Sequence, residues 1–224
     1  CGRRWDADLV MWPFRRRGLP AALESMEIGA ARYVVLDTEL TSLDAKSNRL
    51  LSAGAIGVRG GRIELSEQFY RVVNPGVETP AATVAIHGLR PADIASAEPV
   101  ARVLEELAGF VGDAILVGHF VRIDVDALRK ERPGGFLNAS ICTARTWRWL
   151  LRTGPLTDEA LRGLDHLDLD SVARAHSLEP KDSHHALGDA YLTAQIWQRM
   201  MPQLVTRGVT TLGHLRKSGI LELS

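Results

Sequence analysis

Residues 33–43 read YVVLDTELTSL, an apolar run that leads into two acidic residues. Short apolar runs rich in β-branched residues are typical of buried strands, so residues 33–36 are predicted to form a strand that ends at Asp37. Alternate side chains of a strand share a face, so Asp37 and Glu39 should point the same way. Buried carboxylates need a compensating cation, and hard divalent cations prefer such oxygens. The alternative is that the strand simply emerges into solvent at this point.

The rest of the chain predicts one mixed α/β domain. Strands at residues 50–58 and 63–73 are joined by Gly60-Gly61, a two-residue hairpin signal, so the first half should be an antiparallel meander. Strands followed by alternating helices and strands are typical of a mixed sheet. Two more strands are predicted, at residues 114–117 and around Ile141. Helices are predicted at residues 20–26, 81–86, 100–111, 123–132, 143–151, 169–176, 186–201 and 211–217, and Pro202 is expected to end the seventh.

The composition excludes several classes of protein. Of the 224 residues, 46% are hydrophobic and 24% are charged, which are globular proportions. The 27 basic residues balance 27 acidic ones, so net charge does not indicate a nucleic-acid or membrane partner. No apolar run of about 18 residues occurs, and no membrane partner is expected. The cysteines, Cys1 and Cys142, cannot make a disulfide framework, which favours a cytoplasmic setting.

A second acidic position follows the predicted strand at residues 114–117. Asp124 lies at the start of a predicted helix, where the helix dipole favours a carboxylate. That preference alone would account for it. His119, five residues earlier, is interpreted as a core or capping histidine rather than as a ligand.

The third cluster, residues 182–190, reads DSHHALGDA before the last long helix. Asp182 or Ser183 is a plausible N-cap. His185 and Asp189 are four residues apart and would share a helical face, whereas His184 approaches Asp189 only if it lies in the loop before the helix. The alternative is an ordinary histidine–aspartate pair at the surface.

In this order the three clusters resemble the DEDDh, or DnaQ-like, family of 3′–5′ exonucleases. YVVLDTELTSL is similar to the family's first motif and HHALGDA to its third, while residues 85–89, AIHGL, are similar to a substrate-side motif. The resemblance extends over about residues 32–201. It implies a ribonuclease H-like fold, with a central mixed sheet of five strands flanked by helices. It also implies an exonuclease domain at residues 31–202, between an N-terminal extension (1–30) with a short helix and a C-terminal helical extension (203–224).

The resemblance further implies the site. Two divalent ions, Mg²⁺ or Mn²⁺, would be bound by four carboxylates: Asp37, Glu39, Asp124 and Asp189. His184 would be the general base, a role that suits the near-neutral pKa of an ordinary histidine. The residues implied to contact the terminal nucleotide are Thr38, Leu40, Thr41 and His87. The last three have plainer alternatives, as a packing residue, a turn residue and a helix-end cap.

The expected activity is release of nucleoside monophosphates from 3′ ends, preferably of single-stranded DNA, with a DNA polymerase subunit as a conceivable partner. The alternatives are an RNA-trimming exoribonuclease or oligoribonuclease, and a nucleic-acid-binding polymerase partner with little turnover. That all five catalytic positions are filled argues against the last.

The first residues combine basic and aromatic side chains: Arg3, Arg4, Trp5, Trp12, Phe14, Arg15, Arg16 and Arg17. Such a mixture can bind phosphates and stack on bases, although a loosely ordered solvated arm is the plainer interpretation. The chain begins with Cys1 rather than methionine, which is consistent with a fragment or a processed product, and Met11 is an alternative start.

Overall fold

The computed structural model describes residues 19–42, 44–77, 88–155, 165–180 and 184–223. Its centre is a seven-stranded sheet in the order β4-β3-β2-β1-β5-β6-β7. The pairs β1–β2, β2–β3 and β6–β7 are antiparallel, whereas β1–β5, β3–β4 and β5–β6 are parallel. The strands are β1 (Arg32–Leu40), β2 (Leu50–Arg59), β3 (Arg62–Asn74), β4 (Glu98–Pro99), β5 (Ile115–Gly118), β6 (Ser140–Cys142) and β7 (Leu221–Glu222).

The predicted meander of the first three strands is confirmed. Gly60 and Gly61, which join β2 to β3, have φ angles of 54° and 71°. A two-residue hairpin turn with both residues at positive φ matches the twist of its strands, and glycine adopts this conformation at little cost.

Helices cover both faces of the sheet. They are α1 (Ala21–Glu24), α2 (Pro91–Ala95), α3 (Val100–Val111), α4 (Arg122–Glu131), α5 (Thr143–Thr153), α6 (Leu169–Ala175), α7 (Ala186–Thr206) and α8 (Leu212–Lys217). Along β1, Tyr33 and Val35 pack into a core cluster with α7, whereas Val34 and Leu36 pack into a second cluster with α3 and α4. The predicted run is apolar throughout because both its faces are buried.

Three predictions about the elements are corrected. The sheet has seven strands rather than five, because β4 and β7 are two-residue edge strands, too short to show an alternating pattern. Strand β1 does not end at Asp37 but continues to Leu40, since its acidic residues still pair with β2. Pro202 does not end the last long helix, which continues to Thr206. Burial of Met201 and Leu204 on either side of the proline outweighs its local cost.

The predicted boundary at residue 202 therefore lies inside α7. Beyond it, Leu212 and Leu215 are buried in the same core cluster as Tyr33. The segment before β1 is attached to this end of the chain, because the amide of Ile28 donates to the carbonyl of Thr210 at 3.0 Å. Residues 1–18, the predicted helix at 81–86 and His87 lie outside the described residues. Within the described ranges, no helix has both the length and the apolar character needed to cross a bilayer.

Candidate active site

The acidic pair lies where β1 extends beyond its parallel neighbour. β1 pairs with β5 only as far as Val35, opposite Val117, and β5 ends at Gly118. On its other edge β1 stays paired with β2, where Asp37 lies opposite Gly54. On the β5 side, residues 37–39 of β1 therefore extend past the end of β5 and leave an open edge that is not paired with it.

Asp124 occupies that open edge. It lies in the first turn of α4, and its Oδ1 accepts two hydrogen bonds from Thr38, from the backbone amide at 2.9 Å and from the hydroxyl at 2.7 Å. The amide of Thr38 thus donates to a carboxylate at a point where β5 has already ended. Thr38, predicted to contact the nucleotide, attaches the second acidic motif to the first.

Asp189 approaches from the other face of the sheet, in the first turn of α7. Its Oδ2 accepts a hydrogen bond from the backbone amide of His184 at 3.0 Å. His184 is exposed, precedes the N-cap residue of α7 and has a φ of 69°. The structure thus places His184 in the loop before the helix, as its predicted role requires.

Three of the four carboxylates form one cluster. Asp37, Glu39 and Asp189 each offer an oxygen within 4.8 Å of the other two. Glu39, Asp124 and Asp189 are buried, with 6%, 5% and 8% of their surfaces exposed. Asp124 adjoins the cluster through its bonds to Thr38.

Burial and mutual repulsion raise the pKa values of these groups. Burial first, and then the charges of Asp124, Asp189 and Glu39, raise the pKa of Asp37 well above its usual value, although its side chain keeps some exposure. Burial and the charge of Asp189 raise the pKa of Glu39 to about 7. Burial also raises the pKa of Asp124 to about 7 against the opposing effect of its bonds to Thr38. Like charges gathered in a buried site favour a compensating cation.

The donor set fits hard divalent cations. All the clustered ligand atoms are carboxylate oxygens, which suit Mg²⁺ and Mn²⁺ rather than softer metals. A bound cation would also lower the free energy of the ionised carboxylates that burial now penalises.

His185 has a different role from His184. It is the N-cap of α7, where its Nδ1 accepts from the amide of Gly188 at 3.3 Å. Asp182 and Ser183, the N-cap candidates expected from the sequence, lie outside the described residues. The ring of His185 stacks on that of Tyr70 of β3, with centroids 4.6 Å apart. This stack is a long-range contact that no local pattern in the sequence indicates.

The other predicted contact residues are placed as follows. Leu40 is buried in the cluster with α3 and α4, and the hydroxyl of Thr41 accepts from the amide of Arg49 at 2.9 Å. Both therefore have structural contacts that match their plainer interpretations. His119 is also structural: its Nε2 donates to the carbonyl of Leu167 at 2.7 Å, and its Nδ1 accepts from the hydroxyl of Thr143 at 2.9 Å.

Gly54 is a site residue that the sequence reasoning missed. A Cβ atom on it would meet the backbone of Ala186 and Leu187, at the start of α7. The glycine thus lets the helix bearing Asp189 lie directly against the strand opposite Asp37. An isolated glycine within a strand pattern is a known sign of such close approach.

The chain is similar to several known proteins. A family model described as Exonuclease (RNase_T) matches residues 34–197. A DNA polymerase III subunit epsilon of Aquifex aeolicus is 32% identical over 77% of this chain and 81% of its own length. A DNA polymerase III subunit epsilon-like protein of Rhodobacter capsulatus is 31% identical over 97% of this chain, which covers only 30% of that relative.

Solved structures share the fold. The nuclease domain of 3′hExo, described as a DEDDh family member bound to rAMP, aligns with a TM-score of 0.62 and 14% identity, over 79% of this chain and 94% of that one. Exonuclease I of E. coli in complex with a dT13 oligonucleotide aligns with a TM-score of 0.62 and 18% identity, over 80% and 42%. The predicted ribonuclease H-like fold is confirmed.

Proposed function

We propose a function for this chain, which belongs to the RNase_T exonuclease family. It is a divalent-metal-dependent enzyme that removes nucleotides from the 3′ end of single-stranded DNA. The observation that carries the proposal is the cluster in which Asp37, Glu39 and Asp189 offer oxygens within 4.8 Å of one another, with Asp124 beside it. Metal-assisted hydrolysis of a phosphodiester uses such an assembly of metal-binding oxygens.

The four carboxylates would bind two divalent ions, Mg²⁺ or Mn²⁺. When bound, such ions shield the charge of the phosphate and lower the pKa of a water molecule. Asp37, Glu39 and Asp189, which already converge, would bind one ion, with Asp37 shared with the second. Asp124, fixed to β1 by Thr38, would act mainly at the second ion.

His184 would take a proton from the attacking water. Its exposed side chain projects from the left-handed turn before α7, while its backbone amide is bonded to Asp189. The backbone contact fixes the position of the loop beside the carboxylates. Leu40, Thr41 and His87 would line the terminal nucleotide, and the first two would do so from the packing positions described above.

The preference for DNA is supported by the relatives, which are named as DNA polymerase III subunits. The same names support a polymerase subunit as a partner and a cytoplasmic location. RNA is the second candidate substrate, because a structural neighbour is bound to rAMP. A binding module with little turnover is disfavoured, because the five residues required for hydrolysis are present.

The test is degradation of single-stranded DNA and RNA oligomers of one sequence, labelled at either the 5′ or the 3′ end. With Mg²⁺, the 5′-labelled DNA should shorten by single nucleotides and the 3′ label should leave first, as a mononucleotide. Excess chelator and the Asp37→Asn substitution should each abolish both results. Equal hydrolysis in chelator, or early release of the 5′ label, would contradict the proposal.

A further inference from the structure

Phe120 combines two unfavourable features beside the candidate active site. It is 43% exposed, and its φ angle is 54°. The left-handed region costs a non-glycine residue about 1–2 kcal/mol, and asparagine tolerates it better than phenylalanine. Such strain at a functional site is a reason to look for a role.

The other left-handed residues show why Phe120 is distinct. Among the described residues, non-glycine residues with positive φ are Phe120, Phe136, Ser177 and His184. Phe136 is only 5% exposed, so its burial in the core offsets the strain. Phe120 is the phenylalanine of the two that keeps 43% of its surface exposed, so burial offsets less of its strain.

The ring of Phe120 has a rigid support. It packs edge-on against the ring of His119, with centroids 4.8 Å apart and an interplanar angle of 77°. His119 is in turn fixed by Thr143 and Leu167, and burial lowers its pKa, which favours the neutral imidazole. One edge of the phenyl ring is thus fixed, while much of its surface remains accessible.

The position of the ring relates it to the candidate site. Phe120 lies in the turn between β5 and α4, the helix that carries Asp124, and its carbonyl accepts from the amide of Ile123 at 2.9 Å. Ile123 is itself 47% exposed, so the turn presents an apolar surface. This turn lies at the same end of the sheet as Asp37 and Glu39, where β1 extends past β5.

We propose that Phe120 stacks against a nucleobase of the single-stranded substrate, an inference that rests on the proposed function. A strand whose terminal phosphodiester reaches the carboxylates has unpaired bases available close to this turn. Base–aromatic stacking tolerates any sequence, because every base has a π-face, and its loss weakens binding about 5- to 150-fold per base. The contact would favour unpaired strands over duplex ends, whose bases are already stacked on each other.

The test compares Phe120→Asn with the wild type. Asparagine suits the left-handed turn, so this variant should fold with an equal or higher Tm while it loses the stack. Its KM for single-stranded DNA should rise about 5- to 150-fold, with most of the effect on KM rather than kcat. Leu137→Asn is the matched control, because Leu137 is 45% exposed. It adjoins Asn138, whose side chain donates to the carbonyls of Gly112 and Ala114, at the opposite end of β5 from the Phe120 turn. The KM of this control should not change.

Abasic substrates identify the base that is contacted. In a series of oligomers, each lacks a single base at a different position near the 3′ end. The oligomer that lacks the contacted base should bind the wild type more weakly. The same change should weaken binding to the Phe120→Asn enzyme little. Independent, additive losses, or an unchanged KM in Phe120→Asn, would overturn the inference. Binding of the same oligomers in chelator, measured by fluorescence anisotropy, separates the two claims. If the wild type binds the oligomers in chelator but does not cleave them when Mg²⁺ is supplied, the proposed function fails, and the effect of Phe120→Asn on binding still decides the inference.

Discussion

Gly54 and Leu187 approach so closely that a Cβ atom on the glycine would lie 2.2 Å from the backbone nitrogen of Leu187. Gly54 is the β2 partner of Asp37, and Leu187 lies two residues before Asp189. The distance between strand and helix therefore determines the distance between two of the clustered carboxylates. A close backbone contact, rather than a polar bond, sets the spacing of the candidate metal site.

We therefore expect Gly54→Ala to damage both stability and activity. The new methyl group would push the start of α7 from the sheet, at a cost of about 1–3 kcal/mol. A displacement of about 1 Å at the site would lower the hydrolysis rate about 100-fold even in the folded fraction. Thermal unfolding and single-turnover hydrolysis of the purified variant measure the two effects.

The control is Gly109→Ala, in the helix Val100–Val111. Among the described residues, no atom outside the helix's own backbone lies within 4 Å of a Cβ at Gly109, so this substitution should stabilise the protein by about 0.5–1 kcal/mol. If Gly54→Ala hydrolysed substrate as fast as Gly109→Ala, the close contact would not set the geometry of the site.

Asp37→Asn should raise the thermal stability of the metal-free protein while abolishing activity. The pKa of Asp37 is raised in the fold, so its stabilising contribution is present below its unfolded value and is lost as the pH rises through the folded value. At pH 8 in chelator the wild type has therefore lost stability that the variant, which has no ionisable group at this position, keeps. Each kcal/mol of destabilisation that the substitution removes corresponds to a Tm rise of about 2–4 °C.

Addition of Mg²⁺ or Mn²⁺ should reverse that order. Ligand binding to the native state would stabilise the wild type by about 2.7 kcal/mol at 100 times the dissociation constant, and the variant by less. Calorimetry with and without metal tests both parts. A lower Tm of Asp37→Asn in chelator would show that the carboxylate stabilises the fold without a cation.

Thr38→Val should shift metal binding to higher pH. The hydroxyl of Thr38 donates to Asp124 and lowers its pKa, which burial has raised to about 7. Without that bond the pKa of Asp124 should rise further, so more metal or a higher pH is needed to ionise it. Titration of Mn²⁺ affinity between pH 6 and 9 measures the shift, and Thr38→Ser should restore the wild-type curve. Identical curves for valine and serine would contradict the assigned role.

His176 should make the fold sensitive to acid independently of the site. Burial lowers its pKa from 6.5 to about 4, and its Nε2 has no hydrogen-bond partner among the described residues. The fold favours the neutral form of His176. Its contribution to the free energy of unfolding is therefore present above pH 6.5 and is lost as the pH falls towards 4. The loss amounts to about 3 kcal/mol at most.

We expect His176→Gln to lose less stability than the wild type between pH 7 and pH 4.5. His166→Gln, which removes an exposed histidine, is the matched control and should follow the wild type. Chemical denaturation at several pH values gives the free energies of unfolding. Parallel pH dependences for all three proteins would show that His176 titrates normally.

Much of the fold was predictable because its elements have strong local signals. The helix at residues 100–111 has the predicted bounds, and the Gly60-Gly61 hairpin forms as expected. The resemblance to the DEDDh exonucleases is confirmed by the family match over residues 34–197. Two elements that depend on tertiary contacts were predicted wrongly. Strand β1 continues through its charged residues because β2 pairs with them. Helix α7 continues past Pro202 because apolar residues before and after the proline are buried.

The candidate site divides in the same way. The resemblance to the DEDDh family indicated the four carboxylates, and the structure brings three of them into one cluster with Asp124 beside it. The contacts that position them, between Thr38 and Asp124 and between Gly54 and the start of α7, join residues far apart in the chain. The stack of Tyr70 on His185 is of the same kind. Spacing alone cannot show such contacts, because they depend on how the strands and helices pack.

The most direct test of the account is single-turnover hydrolysis of a 3′-labelled oligonucleotide by His184→Ala and His185→Asn across pH. His184 projects from the loop before α7, whereas His185 caps the helix, and asparagine can replace it as a cap. Loss of a general base costs about 10²–10⁴-fold, so His184→Ala should be slower by that factor with its metal affinity retained. His185→Asn should stay near the wild-type rate. If His185→Asn is the crippled enzyme and His184→Ala is nearly normal, the assignment of the base and the account of this site are wrong.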